Sequence, residues 1–171
     1  MHANAKIEQA GLPPASQLTS CYGRADFAEV FSIDLPEAAS HDAECMARHI
    51  FDHQPERIAA LLKLRDLLVR PLGLKGAADL RGAGGDRINV FRVFERYPNE
   101  IVLGEDDVHL NFRVSALVQA PSDECLRRVF VTTLVFYNHL LGRAYIALIA
   151  PFHCMVVRGS LRQARRIEWP A

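Results

Sequence analysis

The spacing of apolar positions changes twice along the chain, and each change marks a different kind of element. Phe27 to Leu35, rich in apolar residues, reads as a first strand, and Pro36 ends it. Ala43, Met46, Ala47 and Ile50 then recur at helical spacing, which predicts a helix ending near Asp52. Ser40 stands at its N-cap position, and Asp42 and Glu44 favour the positive end of the helix dipole. Pro55 opens a second helix whose apolar set, Ile58, Leu61, Leu62, Leu64, Leu67, Leu68 and Val69, forms a stripe wide enough to need burial on more than one side. Pro71 and Gly73 end it, and residues 75–87, including Gly82-Ala83-Gly84-Gly85, read as a flexible connection.

Period two then takes over. Ile88–Tyr97 and Glu100–Glu105 flank Pro98-Asn99 and read as a hairpin. In the strand Val108–Val118, the residues Val108, Leu110, Phe112 and Val114 face one way, while His109, Asn111, Arg113 and Ser115 face the other. A polar loop over residues 119–124 leads to a strand at Leu126–Tyr137. Leu140–Arg166 is helical, with Pro151 expected to kink or split it. Residues 1–25, broken by Gly11, Pro13, Pro14 and Gly23, read as an irregular leader before a single domain over 26–167. The predicted class is α+β: an antiparallel sheet, two helices after the first strand, and a long C-terminal helix packed on the sheet. That order is similar to the helix-grip layout of START and Bet v 1-like proteins, and the analogy predicts a cavity between sheet and final helix.

Composition narrows the function classes. The chain has 171 residues, 50% of them hydrophobic, and 20 basic side chains against 20 acidic ones. Such a chain can bury a core, and its balance excludes broad capture of polyanions, so neither nucleic acid nor a membrane is an expected partner. No uninterrupted apolar run approaches the ~18–20 residues of a span. Glu8, Gln9 and Pro13-Pro14 stand where a secretory signal needs its apolar region, so a cytoplasmic location is expected. Cys21, Cys45, Cys125 and Cys154 lie far apart without a CxxC pair, which fits separate reduced thiols. The basic set is three lysines to seventeen arginines, a skew that genome composition also produces.

Candidate chemistry follows from pairing the two best strands. A hairpin around residues 119–125 puts His109 near Phe136, Arg113 near Thr132 and Asp107 near Asn138. His109, Asn138 and His139 then gather at one sheet end with Glu105 and Asp106, and Arg143 follows one turn into the last helix. Two imidazoles, carboxylates and a guanidinium together suit proton transfer or anion binding; the alternative is a solvated strand end. The same register places Asn111 and Arg113 on one face with Phe130, Leu134 and Phe136. A mixed face suits a ligand wall, although Arg113 paired to a carboxylate would be structural. His153 and Tyr145 on the last helix are further polar candidates, each with a packing alternative.

Other patterns carry less. His41, Cys45, His49 and His53 recur every four residues, but each step drifts about 40° around a helix, so the four cannot converge and no metal site is assigned. The run at 82–85 lacks the Gly-Lys-Ser/Thr ending of a phosphate loop. Arg158, Arg162, Arg165 and Arg166 share one side of the last helix and complement the negative end of its dipole. No Gly-x-Ser-x-Gly elbow or sequence-visible Cys–His pair marks a nucleophile.

Three local strings resemble a known family. They are Leu103-Gly104-Glu105-Asp106-Asp107-Val108-His109-Leu110-Asn111-Phe112-Arg113, then Asn138-His139-Leu140-Leu141-Gly142-Arg143-Ala144-Tyr145, and Pro151-Phe152-His153. With Leu61–Val69 and the strand near Asp26, they are similar to domain of unknown function family 2867, an uncharacterised bacterial family, over roughly residues 25–165. The family implies no activity. Its relatives occur behind NAD-binding, epimerase-like domains, and this chain carries no dinucleotide fingerprint.

The residues therefore point first to a small apolar or amphipathic ligand, with Asn111, Arg113, Asn138, Arg143 and Tyr145 as binding groups. A cyclase, isomerase or hydrolase using His109, His139 or His153 is the second reading, and a non-catalytic interaction module the third. No cofactor is expected. A homodimer is the oligomeric alternative to a single copy.

Overall fold

The structure, a computed structural model, describes residues 6–53, 84–122 and 126–171. Its strands are β1 (Glu8–Gln9), β2 (Phe27–Asp34), β3 (Arg87–Ile88), β4 (Phe91–Arg96), β5 (Glu100–Asp106), β6 (Leu110–Gln119) and β7 (Arg128–Tyr137). They form one antiparallel sheet in the order β1-β2-β7-β6-β5-β4-β3. The helices among the described residues are α1 (Thr19–Tyr22), α2 (Ala43–Asp52) and α3 (Leu140–Arg166). The helix expected after Pro55 lies outside the described residues, as does Cys125; Cys21, Cys45 and Cys154 are free and half-buried.

The order of strands puts the first long strand beside the last, so a meander from β3 to β7 is closed against β2. Alternation then decides what each face buries. On the front, Phe31, Ile33, Ile101, Leu103, Val114, Ala116, Val129 and Val131 meet Ala43, Met46, Ala47 and Ile50 of α2 and Val157, Leu161 and Ala164 of α3. The helical spacing read along α2 is therefore its buried stripe. On the back, Leu18, Val102 and Leu134 form one cluster with Leu12, Phe94 and Phe136, and Val30, Leu117 and Phe130 form another with Ala10 and Leu12. The segment expected as an irregular leader thus supplies β1 and covers the rear of the sheet. Glu100, fully buried, fixes it there by accepting hydrogen bonds from Ser16 Oγ and the Gln17 amide, each at 2.7 Å.

Several expected boundaries move. Ser40 accepts from the Asp42 amide, and Asp42, not Ser40, caps α2 by accepting from the Glu44 amide at 2.9 Å. The strand expected over Ile88–Tyr97 is broken into β3 and β4 at Asn89, whose φ of 54° is a turn conformation that asparagine tolerates. The β6–β7 register is Leu110↔Tyr137, Asn111↔Phe136 and Arg113↔Leu134, two residues from the expected pairing. Because the slip is even, every side chain stays on the face assigned to it. Val108 falls outside β6 and is exposed. Pro151 does not split α3, which runs through it, and Pro151 and Ala147, four residues before it, are both exposed. Counting uninterrupted runs also understates α3, which by length and composition is apolar enough to cross a membrane; its Tyr145, Ile146, Val157 and Leu161 are nevertheless packed on the sheet.

Candidate functional site

The site forms where β6 begins, β7 ends and α3 starts. The chain passes from Tyr137 into α3 within three residues, and the His109 carbonyl holds that corner by accepting from the Asn138 amide at 3.0 Å and the His139 amide at 3.3 Å. Gly142, in the first turn of α3, sits so close that a Cβ there would overlap the His109 carbonyl oxygen. Glycine lets the helix approach the backbone of the sheet directly.

Around this corner lies an open depression of about 420 Å³, lined by Tyr137, Asn138, His139, Leu140 and Arg143. His139 is the N-cap of α3; no side chain caps the helix, and its first turn has no acid. The N-terminus therefore presents partial positive charge beside the Arg143 guanidinium. Arg143 has no ion-pair partner among the described residues. The His109 and His139 rings meet edge to face at 6.2 Å, and His109 Nδ1 is buried without a hydrogen-bond partner among the described residues. The Arg143 guanidinium and the uncapped amides at the start of α3 are the positive groups of this corner.

The expected polar residues divide between this corner and other duties. The structure places His109, Asn138, His139 and Arg143 at this corner, whereas Glu105 pairs with Arg87 and Asp106 with Arg113. Asn111 lies near them but is engaged: its Oδ1 accepts from Asn138 Nδ2 at 3.0 Å and from the Asp107 amide at 3.3 Å. Asn138 Nδ2 also donates to the Asp107 carbonyl at 2.7 Å, so the two asparagines fasten the β5–β6 turn to the end of β7. Arg113 is on the back face. It pairs with Asp106 at 2.7 Å and lies 3.8 Å from the centre of the Phe94 ring, held from three sides including its own neighbour's carbonyl. Tyr145 and His153 belong to the front. The expected binding groups Arg113 and Tyr145 are therefore divided by the sheet itself.

His153 has a partner that the sequence reading did not assign. Its Nδ1 is 2.7 Å from Glu29 Oε2, and Phe27 stands edge-on to the ring at 6.2 Å. The Glu29 side chain is only 10% exposed. A signal for it was present: in β2, Glu29 occupies the inward parity of Phe27, Phe31 and Ile33, where a carboxylate needs a polar partner. Tyr137 and Leu140, which line the depression, were also not singled out.

The histidines on and beside α2 have separate contacts. His41 Nε2 meets Arg127 Nη1 at 2.6 Å, His49 Nε2 meets the Ala164 carbonyl at 2.9 Å, and His53 Nδ1 meets the His49 carbonyl at 3.3 Å. Arg127, itself buried, also donates to the Pro36 carbonyl at 2.8 Å, so this contact locks the chain between β2 and α2.

No curated protein and no solved structure matches the chain significantly. A family model does match, over residues 21–160, which takes in β2 to β7, the site and most of α3. The chain belongs to that family, DUF2867, described as proteins of unknown function.

Proposed function

We propose that this protein binds a small amphipathic molecule whose anionic group sits at the N-terminus of α3. The observation that carries the reading is the convergence of Arg143, His139 and an uncapped helix end on one 420 Å³ depression. Leu140 supplies apolar wall on the same rim, and Tyr137 and Asn138 complete it. The volume lies within the range of about 300–1,000 Å³ occupied by small-molecule sites. Relative to a cavity under the middle of α3, as in a helix-grip layout, the ligand is displaced to the sheet end.

Calorimetric titration with decanoate and with decanol tests this directly. Decanoate should bind, decanol should bind more weakly, and Arg143→Ala should weaken decanoate by roughly tenfold through loss of a charge-assisted contact. Equal affinity for acid and alcohol, or indifference to Arg143→Ala, overturns the reading.

A second reading rests on the Glu29–His153 pair. A carboxylate bound to one imidazole nitrogen orients the ring and leaves Nε2 to exchange a proton with a substrate, as in hydrolases and isomerases. Under that reading His153→Ala removes turnover of a substrate found by esterase and isomerase screening. Retained turnover by a folded His153→Ala protein sinks it.

A further inference from the structure

Three hydroxyls on the rear of the sheet are buried without a protein partner. Ser115 of β6 stands directly opposite Thr132 of β7, and Ser32 of β2 stands opposite Phe130, the neighbouring rear residue of β7. Each of the three residues is at most 1% exposed, and none of their hydroxyl oxygens has a hydrogen-bond partner among the described residues. Their surroundings are apolar, with Val30 opposite Thr132 and Val102 opposite Ser115. Over this ground the leader lays Leu12 and Leu18. Hydrocarbon thus covers hydroxyls that it cannot satisfy, which weakens the closure.

From this arrangement we infer that residues 10–18 are a strap that lifts, and that the ground beneath it binds a neutral, apolar small molecule through a carbonyl oxygen. Directly opposed residues of an antiparallel pair hold their Cβ atoms about 4.5–5.5 Å apart. The Ser115 and Thr132 hydroxyls do not bond each other, yet one oxygen atom between them can accept from both at the ordinary separation of about 2.8 Å. The apolar body of the ligand replaces Leu12 and Leu18 on Val30, Val102 and Leu134, so the burial that the strap gives up is regained. The strap is lightly attached. Past Ala10, whose amide donates to the Val30 carbonyl at 3.0 Å, its described hydrogen bonds to the sheet are those that Glu100 accepts from Ser16 and Gln17.

A charged occupant fits less well. Arg113, one residue pair away on the same face, is already bonded to Asp106, and the buried Glu100 carboxylate would repel an anion. Ordered water is the other rival, and it predicts the opposite sign for a simple substitution. Hydroxyls bonded to water in the closed protein stabilise it, so their removal costs stability; hydroxyls left unmet by the closed strap oppose it, so their removal adds stability.

Urea unfolding and Nile red fluorescence of the full chain test the inference. The double variant Ser115→Ala/Thr132→Val removes both hydroxyls with little change of shape. It should raise the urea midpoint and slow proteolysis within residues 10–24. Nile red, a neutral dye with a ring carbonyl, should bind the parent protein and should bind the double variant roughly tenfold more weakly. Thr132→Ser, which keeps the hydroxyl, should bind the dye as the parent does. Ser16→Ala, which loosens the contact with Glu100, should bind it roughly threefold more tightly, because the lifted state is more populated. A lower urea midpoint in the double variant assigns the hydroxyls to the closed structure and overturns the inference. So does dye binding that the double variant leaves unchanged, or no dye binding by either the parent or Ser16→Ala.

Discussion

His153 Nδ1 and Glu29 Oε2, 124 residues apart in sequence, lie 2.7 Å from each other and bind the middle of α3 to β2. Both are partly withdrawn from water, so removing one leaves the other under-satisfied. Glu29→Ala and His153→Ala should each cost about 1–3 kcal/mol in urea unfolding. The double variant should cost much less than their sum, because the penalty of an orphaned partner disappears with it. Strictly additive losses would show that the pair carries no coupling.

Gly142→Ala offers a sharper sign test. In an ordinary exposed helix interior that change stabilises by about 0.5–1 kcal/mol. Here the new Cβ would overlap the His109 carbonyl oxygen, which belongs to backbone and accepts two amides, so it cannot swing aside. The expected result is destabilisation by about 1–3 kcal/mol, as for other overpacked contacts, with hydrogen exchange quickening first at Asn138 and His139. A more stable Gly142→Ala protein would mean that α3 stands further from the sheet.

The elements that were legible in the sequence are those whose period is set by a single buried face. α2 announces its stripe, and the limits of α3, Leu140 and Arg166, are readable from a helical pattern that continues on both sides of Pro151. The β6–β7 register was not, because alternation fixes parity and leaves the offset to the turn. Alternation alone is equally compatible with Arg113 opposite Thr132 and with the observed Arg113 opposite Leu134. Nor does alternation reveal which face the helices cover. β6 carries apolar residues on both, Val114 and Ala116 in front and Leu117 behind, because residues 10–18 cover the rear. That ambiguity leaves the sequence unable to separate Arg113, on the rear, from Tyr145, on the front.

One buried carboxylate anchors the rear cover alongside its apolar contacts. Glu100 is fully buried and takes both of its contacts from the leader, at Ser16 and Gln17. Ser16→Ala should therefore cost about 1–3 kcal/mol, since it removes a donor from a buried acceptor. Proteolysis of the native protein distinguishes local from global loss: cleavage within residues 10–24 should accelerate in Ser16→Ala while the sheet stays intact. Unchanged cleavage would place the anchoring of this segment elsewhere.

Acid sensitivity should concentrate on Glu44. Arg96 and then Arg48 hydrogen-bond its carboxylate, joining α2 to β4, and they lower its pKa from 4.5 to about 2. With the folded value depressed, the unfolded chain binds the proton more readily at intermediate pH, so stability rises with pH there. The contribution is complete above pH 4.5 and is lost as pH falls toward 2. Because the Glu44 side chain is 27% exposed and both arginines are 46% exposed, solvent screening leaves only about 1 kcal/mol. Glu44→Gln should lower stability by that amount at pH 7 and flatten the unfolding free energy between pH 4.5 and 2, where the parent protein shows a slope. If Glu44→Gln keeps the parent's slope through that interval, other carboxylates govern acid unfolding.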